Sequence, residues 1–210
     1  MPVRRRADAF RPRKQPRQAR SQDTVQAIVR AAAQVFAARG YAASTTNHIA
    51  ERAGVSIGSL YEYFPNKDAL LVALMERHVR DGEAIIAAVQ IPLDSDLAGA
   101  VRQFVRAMVE FHARDSALHR VLFEEAPLPP LIRRRLTAIE TQVTERVRIL
   151  LENNPEVRRR DIALAAAVVV QTVESLTHKL VLYADAPLEP YIEEMVALLT
   201  SYLRSDPAAA

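Results

Sequence analysis

The chain has 210 residues, half of them hydrophobic and a quarter charged, with no cysteine and a net charge of +3. This is the composition of a globular protein of one compact domain or two small ones; it excludes a disulfide framework, a thiolate nucleophile and a cysteine-ligated metal. The conspicuous uncharged run Ile162 to Val173 has twelve residues, against the ~20 that a membrane-spanning helix needs, and no apolar stretch follows Arg4, Arg5 and Arg6, so the expectation is a soluble, cytoplasmic protein with no membrane partner.

Residues 1–20 carry eight basic side chains and one acid, so a basic segment of +7 precedes a body of −4. That asymmetry points either to a polyanionic partner met by one end of the molecule or to a solubilising tail. Pro2, Pro12 and Pro16 and the lack of apolar periodicity predict a flexible arm.

Ser21 is read as the cap of a first helix, with Asp23 near its positive dipole end. Val25, Ile28, Val29, Ala32, Val35 and Phe36 form its apolar stripe, and Gly40 ends it. Thr45 caps a short second helix with Ile49, Ala50 and Ala53 inward, broken by Gly54. Ser56 caps a third, from Ile57 to Phe64, which stops before Pro65. Asn66 caps a fourth, whose apolar face runs from Leu70 and Leu71 to Val89.

A fifth helix spans about 95–114, marked by Leu97, Val101, Phe104, Val105, Met108 and Phe111. Asp115 or Ser116 opens a short one, and Pro127, Pro129 and Pro130 stiffen the connection to the next, which carries Ile132 through Leu151. Asp161 to Ala184 is apolar on most faces, and Pro187 precedes the last helix. Few residues fall in period-2 runs, so the fold class is all-α with about nine helices.

The segment Thr45 to Phe64 has the anatomy of a helix-turn-helix: two short amphipathic helices around a turn containing Gly54. Ala50 is small where the second helix must cross closely, and Ile49, Val55 and Leu60 can form the small core that fixes the crossing. Any tight helix pair needs a small residue and a turn glycine; the basic arm and the polar, aromatic outer face are what point further, toward nucleic acid.

The run Gly54 to Leu70, G-V-S-I-G-S-L-Y-E-Y-F-P-N-K-D-A-L, resembles the signature of the tetracycline-repressor (TetR) family of bacterial regulators, G-V-S-x-G-x-L-Y-x-Y-F-x-x-K-x-x-L, at every fixed position. Phe36, Arg39-Gly40-Tyr41, Thr45-Thr46 and Ile49-Ala50 fit upstream, so the specific match covers about residues 20–75. The resemblance implies a basic arm at 1–20, a three-helix helix-turn-helix domain at 21–66, a connecting helix at 67–89, and a helical ligand-binding and dimerisation domain at 90–210.

The resemblance also assigns a DNA face. Thr45 and Thr46 would hold a phosphate at a helix N-terminus, with Asn47 and His48 beside them, Asn47 placed to read a base. Ile57, Gly58 and Ser59 open the recognition helix; Gly58 would admit close backbone approach and Ile57 could touch a thymine methyl. Tyr61 and Tyr63 match positions that commonly face DNA, Tyr63 with a share in the core, and Lys67 matches a phosphate-contacting lysine. Glu62 and Arg52 read as surface residues, Leu60 and Phe64 as core.

For the C-terminal half the resemblance implies an effector cavity. Phe104, Met108, Phe111, His112, His119, Phe123, Thr177, His178 and Tyr183 are material for one, or for an ordinary core. Glu174 and His178 sit four apart, which is poor evidence for a metal, and the Arg133–Arg135 and Arg158–Arg160 runs read as solvated faces or, less simply, as a site for an anionic tail. The last two long helices, with Ala163, Ala165, Ala166, Val169, Leu176, Met195, Leu199 and Tyr202, are apolar on more than one face, and the resemblance places the homodimer surface on them, between their own core and the partner, with the sequence leaving open which face does which.

The function expected is a ligand-responsive transcriptional regulator, a repressor released from a palindromic operator when a small molecule fills the pocket. The alternatives are an architectural DNA-binding protein with no effector, and an enzyme using His112, His119, Glu124 or Glu125. The chain has no nucleophile elbow, phosphate-binding glycine loop or zinc-binding His-Glu-His helix, so no catalytic residue, cofactor or metal is expected.

Overall fold

The computed structural model describes residues 19–92, 95–181, 183 and 187–206. Within them the chain forms α1 (Ala19–Ala43), α2 (Thr46–Ala53), α3 (Ile57–Tyr63), α4 (Lys67–Ala88), α5 (Leu97–Ala113), α6 (Ser116–Arg120), α7 (Pro130–Glu152), α8 (Ile162–Leu176) and α9 (Glu189–Arg204). A π-type turn, Val121–Glu125, follows α6, and another, Thr177–Val181, follows α8. No strand occurs among the described residues. The all-helical class agrees with the sequence.

The expected arm lies outside the described residues up to residue 18. Ala19 and Arg20 already belong to α1, so Ser21 sits inside the helix and is not its cap. Gly40 does interrupt α1: its φ of 72° and ψ of 167° are open to glycine but not to a side chain. A Cβ there would also come 2.9 Å from the Glu125 carboxylate.

Two compact units result. One holds the described residues up to Arg80 and Ala117–Arg133; the other holds Asp81–Ser116 and the described residues from Arg134 onward. Helix α4 contributes to both.

The first unit is built on the α1 stripe. Ile28, Ala32 and Phe36 are fully buried, with Ile49 of α2, Leu60 of α3 and Leu70 and Met75 of α4. Each large apolar side chain buried in this way contributes about 1.5–3 kcal/mol. The second unit is centred on Val105 and Val109 of α5, Val147 of α7, Ala166, Val169 and Val173 of α8, and Met195, Leu199 and Leu203 of α9.

The sequence left open which face of α8 and α9 turns inward. Val169, Met195 and Leu199 are each 2% exposed and belong to the unit's own core, not to an outward surface. The helices are apolar on more than one face, and spacing alone does not say which face turns inward. Leu164 at 59% and Leu198 at 54% are the large apolar residues that α8 and α9 leave exposed.

Candidate nucleic-acid interface

Local signals set the geometry of α2 and α3. The Thr45 hydroxyl accepts from the His48 N–H at 3.2 Å and the Ser56 hydroxyl from the Ser59 N–H at 3.0 Å, so each helix starts at a side-chain cap. Gly54 lies in the left-handed region with φ 68°. Its N–H donates to the Glu51 carbonyl and that of Val55 to the Ala50 carbonyl, both at 3.1 Å, the paired bonds of a Schellman turn. The pair is braced onto α1 by Arg52, whose Nε donates to Gln34 Oε1 at 2.6 Å.

With Ile49, Ala50 and Leu60 buried, the opposite face carries Thr45, Asn47, Ile57, Gly58 and Tyr61, all exposed. Ile57 is 38% and Tyr61 41% exposed, large apolar or aromatic groups left in solvent at the start and middle of α3. A Cβ built at Gly58 would meet only Ser56 Oγ, at 3.8 Å. Nothing among the described residues therefore requires glycine there. Thr46 and Ser59 are half-buried at the edge of this face; Thr46 Oγ1 lies 3.0 Å from the Tyr61 hydroxyl and Ser59 Oγ lies 2.9 Å from Ser56 Oγ.

Three other candidates differ in surroundings. His48 is half-buried, and its Nδ1 is enclosed with no hydrogen-bond partner among the described residues. Tyr63 is 7% exposed, on the core face of α3 with Leu60, and so stands apart from the exposed set. Lys67 turns its ammonium back onto the chain. Nζ donates to the carbonyls of Tyr41 at 2.9 Å, Ser44 at 3.2 Å and Ala42 at 3.3 Å, and lies 4.3 Å from the centre of the Tyr41 ring. The Tyr41 hydroxyl donates to Asp68, and burial together with that carboxylate pushes the phenol well above its ordinary range. Lys67 and Asp68 thus clamp the turn between α1 and α2 at both ends of one tyrosine. The sequence reading missed this, because its partners are carbonyls far back in the chain.

The proposed effector residues divide into three groups. Phe104 and Met108 line a cavity of about 260 Å³ within the second unit. Its other walls include Ile85, Ile86, Val89, Val147 and Leu150, with Gln90 and Arg146 as its polar members. Cavity walls and core share the same residue types, so only Gln90 and Arg146 among the missed residues carried a distinguishing chemistry.

Phe111, His112, Thr177 and His178 form a second group in the same unit. The Phe111 ring packs where a Gly82 Cβ would lie, 3.2 Å away. His112 is buried, its ring centre 5.0 Å from those of Phe111 and His178, and its Nδ1–H donates to the Met108 carbonyl at 2.7 Å. Burial pushes its pKa down to about 4; the Met108 carbonyl acts against that fall and His178 adds to it. Thr177 is fully buried, and its hydroxyl has no hydrogen-bond partner among the described residues.

His119 and Phe123 belong to the first unit, where His119 Nδ1 is 3.1 Å from His78 Nε2 and the His119 and Phe123 rings are 4.7 Å apart. Among the described residues no helix is long and apolar enough to cross a membrane.

Comparison with known proteins agrees with this architecture. Residues 28–74 match the family model described as bacterial regulatory proteins of the tetR family, and residues 96–203 match the tetracyclin repressor-like C-terminal domain. The HTH-type transcriptional activator FasR of Mycolicibacterium smegmatis is 38% identical over 96 residues, 45% of this chain and 42% of that protein. The chain therefore spans less than half the length of this curated relative. A crystal structure of a tetR-family regulatory protein from Rhodococcus RHA1 is 25% identical with a TM-score of 0.69, covering 86% of this chain and 96% of that one. The fatty acid degradation regulator FadR of Bacillus halodurans shares the fold at 22% identity and a TM-score of 0.62, over 91% of this chain and 98% of that one. The chain belongs to the TetR family of bacterial transcriptional regulators, with its DNA-binding domain in the N-terminal region that matches at residues 28–74.

Proposed function

We propose that the protein is a ligand-responsive repressor that binds a palindromic operator as a homodimer and leaves it when a small, largely apolar molecule occupies the cavity of the second unit. The arm of residues 1–20 and the domain at 21–66 would meet DNA, α4 would connect, and residues 90–210 would hold effector and partner subunit. Thr45, Thr46 and Asn47 would engage phosphate and base edge, and Ile57, Gly58, Ser59 and Tyr61 would enter the major groove. Effector binding releases DNA when the effector prefers a dimer whose recognition helices are wrongly spaced. A full switch needs a preference of about 5.5 kcal/mol.

The observation that carries the reading is the free space at Gly58, beside exposed Ile57 and Tyr61. The about 260 Å³ cavity supports an effector over an architectural protein with a filled core. Names of relatives tied to fatty acid metabolism, such as the Bacillus halodurans regulator, support an apolar effector.

The experiment is Gly58→Ala. Alanine is the better helix former by ~1 kcal/mol, so thermal stability should hold or rise. DNA affinity, measured by anisotropy on a site selected by the protein itself, should fall at least about tenfold, because the new methyl keeps the backbone from the groove. Wild-type affinity in this variant would remove α3 from the DNA.

A further inference from the structure

Three openings of the second unit adjoin one another. The about 260 Å³ cavity is apolar except at Gln90 and Arg146. Ile91, Phe104, Val147 and Leu150 also wall a smaller cavity of about 30 Å³ that reaches Val169 and Leu203 of the core. On the other side, Ile86 and Arg146 are shared with a cleft of about 490 Å³ in which Glu83, Thr141, Gln142 and Glu145 stand beside Ala87 and Ile139.

Arg146 is the cationic side chain that the cavity and the cleft share. The small cavity has about the volume of one water-sized group, so it admits a chain end but no ring. The acids of the cleft are already neutralised. Arg135 Nη2 binds both oxygens of Glu83, at 2.9 and 3.0 Å, and Arg148 binds Glu145 at 2.7 and 2.8 Å. Arg146 donates from Nη1 to the Ile86 carbonyl, and among the described residues no carboxylate lies within ion-pair distance of it. A guanidinium has five N–H donors, so most of its capacity is open at the edge of an apolar cavity.

We infer that this site takes a linear aliphatic amphiphile, its alkyl tail in the apolar cavity and its anionic head on Arg146. The inference rests on the ligand-responsive reading above and gives its effector a chemical class. The tail replaces water against Phe104, Met108 and Leu150, and its end points toward the small cavity. The head meets a charge whose fork geometry suits a carboxylate.

Calorimetric titration of the full-length protein with straight-chain alkanoates of increasing length tests this. Affinity should rise by about two- to fourfold per methylene, the upper value corresponding to ~0.8 kcal/mol per buried CH2, and then level off when the cavity is full. Dodecanoate should bind about fivefold tighter than dodecanol. Arg146→Gln should abolish that preference and Arg146→Lys should restore part of it, with circular dichroism unchanged because Arg146 is exposed. Equal binding of acid and alcohol, a preference that survives Arg146→Gln, or affinity independent of chain length would each overturn the proposal. Dodecanoyl-coenzyme A, titrated in parallel, separates a free acid from a thioester; tighter thioester binding that Arg146→Gln leaves intact also overturns it. Anisotropy on bound DNA keeps the two readings apart. Alkanoate binding through Arg146 with no release of DNA overturns ligand control and leaves the site. Release by other compounds, with no alkanoate binding, overturns the site and leaves ligand control.

Discussion

The hydroxyls of Thr46 and Tyr61 lie 3.0 Å apart, one on each helix of the helix-turn-helix pair. On the bare protein one of the two hydroxyls donates to the other. A phosphate oxygen arriving between them offers both a charged acceptor, and hydrogen bonds to ionised oxygens are about twice as strong as neutral ones. The pair therefore places two hydroxyl groups side by side at the edge of the exposed face.

Tyr61→Phe keeps the ring and removes one donor. DNA binding should weaken by about five- to tenfold, the worth of a hydrogen bond of ~1 kcal/mol or slightly more. The melting temperature should not move, since the residue is 41% exposed. Anisotropy and thermal melts on the same preparation check this; unchanged affinity would take the Tyr61 hydroxyl off the DNA.

Lys67 leads to the opposite pattern. Its resemblance to a phosphate-contacting lysine suggests a loss of affinity and a shallower salt dependence on truncation. Its ammonium, however, serves the carbonyls of Tyr41, Ala42 and Ser44. Lys67→Met should cost about 1–3 kcal/mol of stability, because carbonyls of a half-buried turn lose a charged donor. The slope of log Kd against log salt should stay at its wild-type value, where loss of a phosphate contact would reduce it by about one per subunit. A reduced slope with an unchanged melting temperature would return Lys67 to the DNA face.

What the sequence made legible was local. Thr45, Ser56 and Gly54 act within five residues of themselves, so their residue types alone predict caps and turn, and the structure places them so. The Lys67 clamp reaches 23 to 26 residues back to bare backbone carbonyls, which have no sequence signature. Ser21 misleads for a related reason: serine is a good cap but also tolerable inside a first turn, and α1 begins two residues earlier, at Ala19. The effector residues were legible only as apolar material. Phe104 and Met108 share a cavity while His119 and Phe123 fall in the other unit, a division made by the backbone path between α5 and α7.

His112 makes acid sensitivity measurable. Its pKa falls from 6.5 to about 4 on folding, chiefly through burial, so the unfolded chain binds the proton more readily. The stability tied to the neutral ring is fully present above pH 6.5, declines as pH falls toward 4, and is constant below. The decline amounts to about 3 kcal/mol. His112→Leu should lower stability at pH 7 by breaking the bond to the Met108 carbonyl, yet flatten the profile over that window. Urea titrations at half-unit pH steps check the difference between the two proteins; parallel profiles would mean that His112 charges as readily inside as outside.

The last prediction separates core from subunit surface on α8 and α9. Val169 is 2% exposed in the core of its own unit, whereas Leu164 and Leu198 are 59% and 54% exposed. Val169→Asp strands a charge among Val105, Val147 and Met195 side chains of the same buried cluster. Such a charge costs several kcal/mol, so helicity and melting temperature should drop together. Leu164→Glu with Leu198→Glu puts the same charge into solvent and should leave the fold intact. If the proposed homodimer buries Leu164 and Leu198, the double variant should sediment as a folded monomer. Its affinity for a palindromic site should fall, since two half-sites are no longer read together. Sedimentation equilibrium with circular dichroism distinguishes the cases. A stable, DNA-competent dimer from the Leu164→Glu, Leu198→Glu variant would remove the outer face of α8 and α9 from the subunit interface.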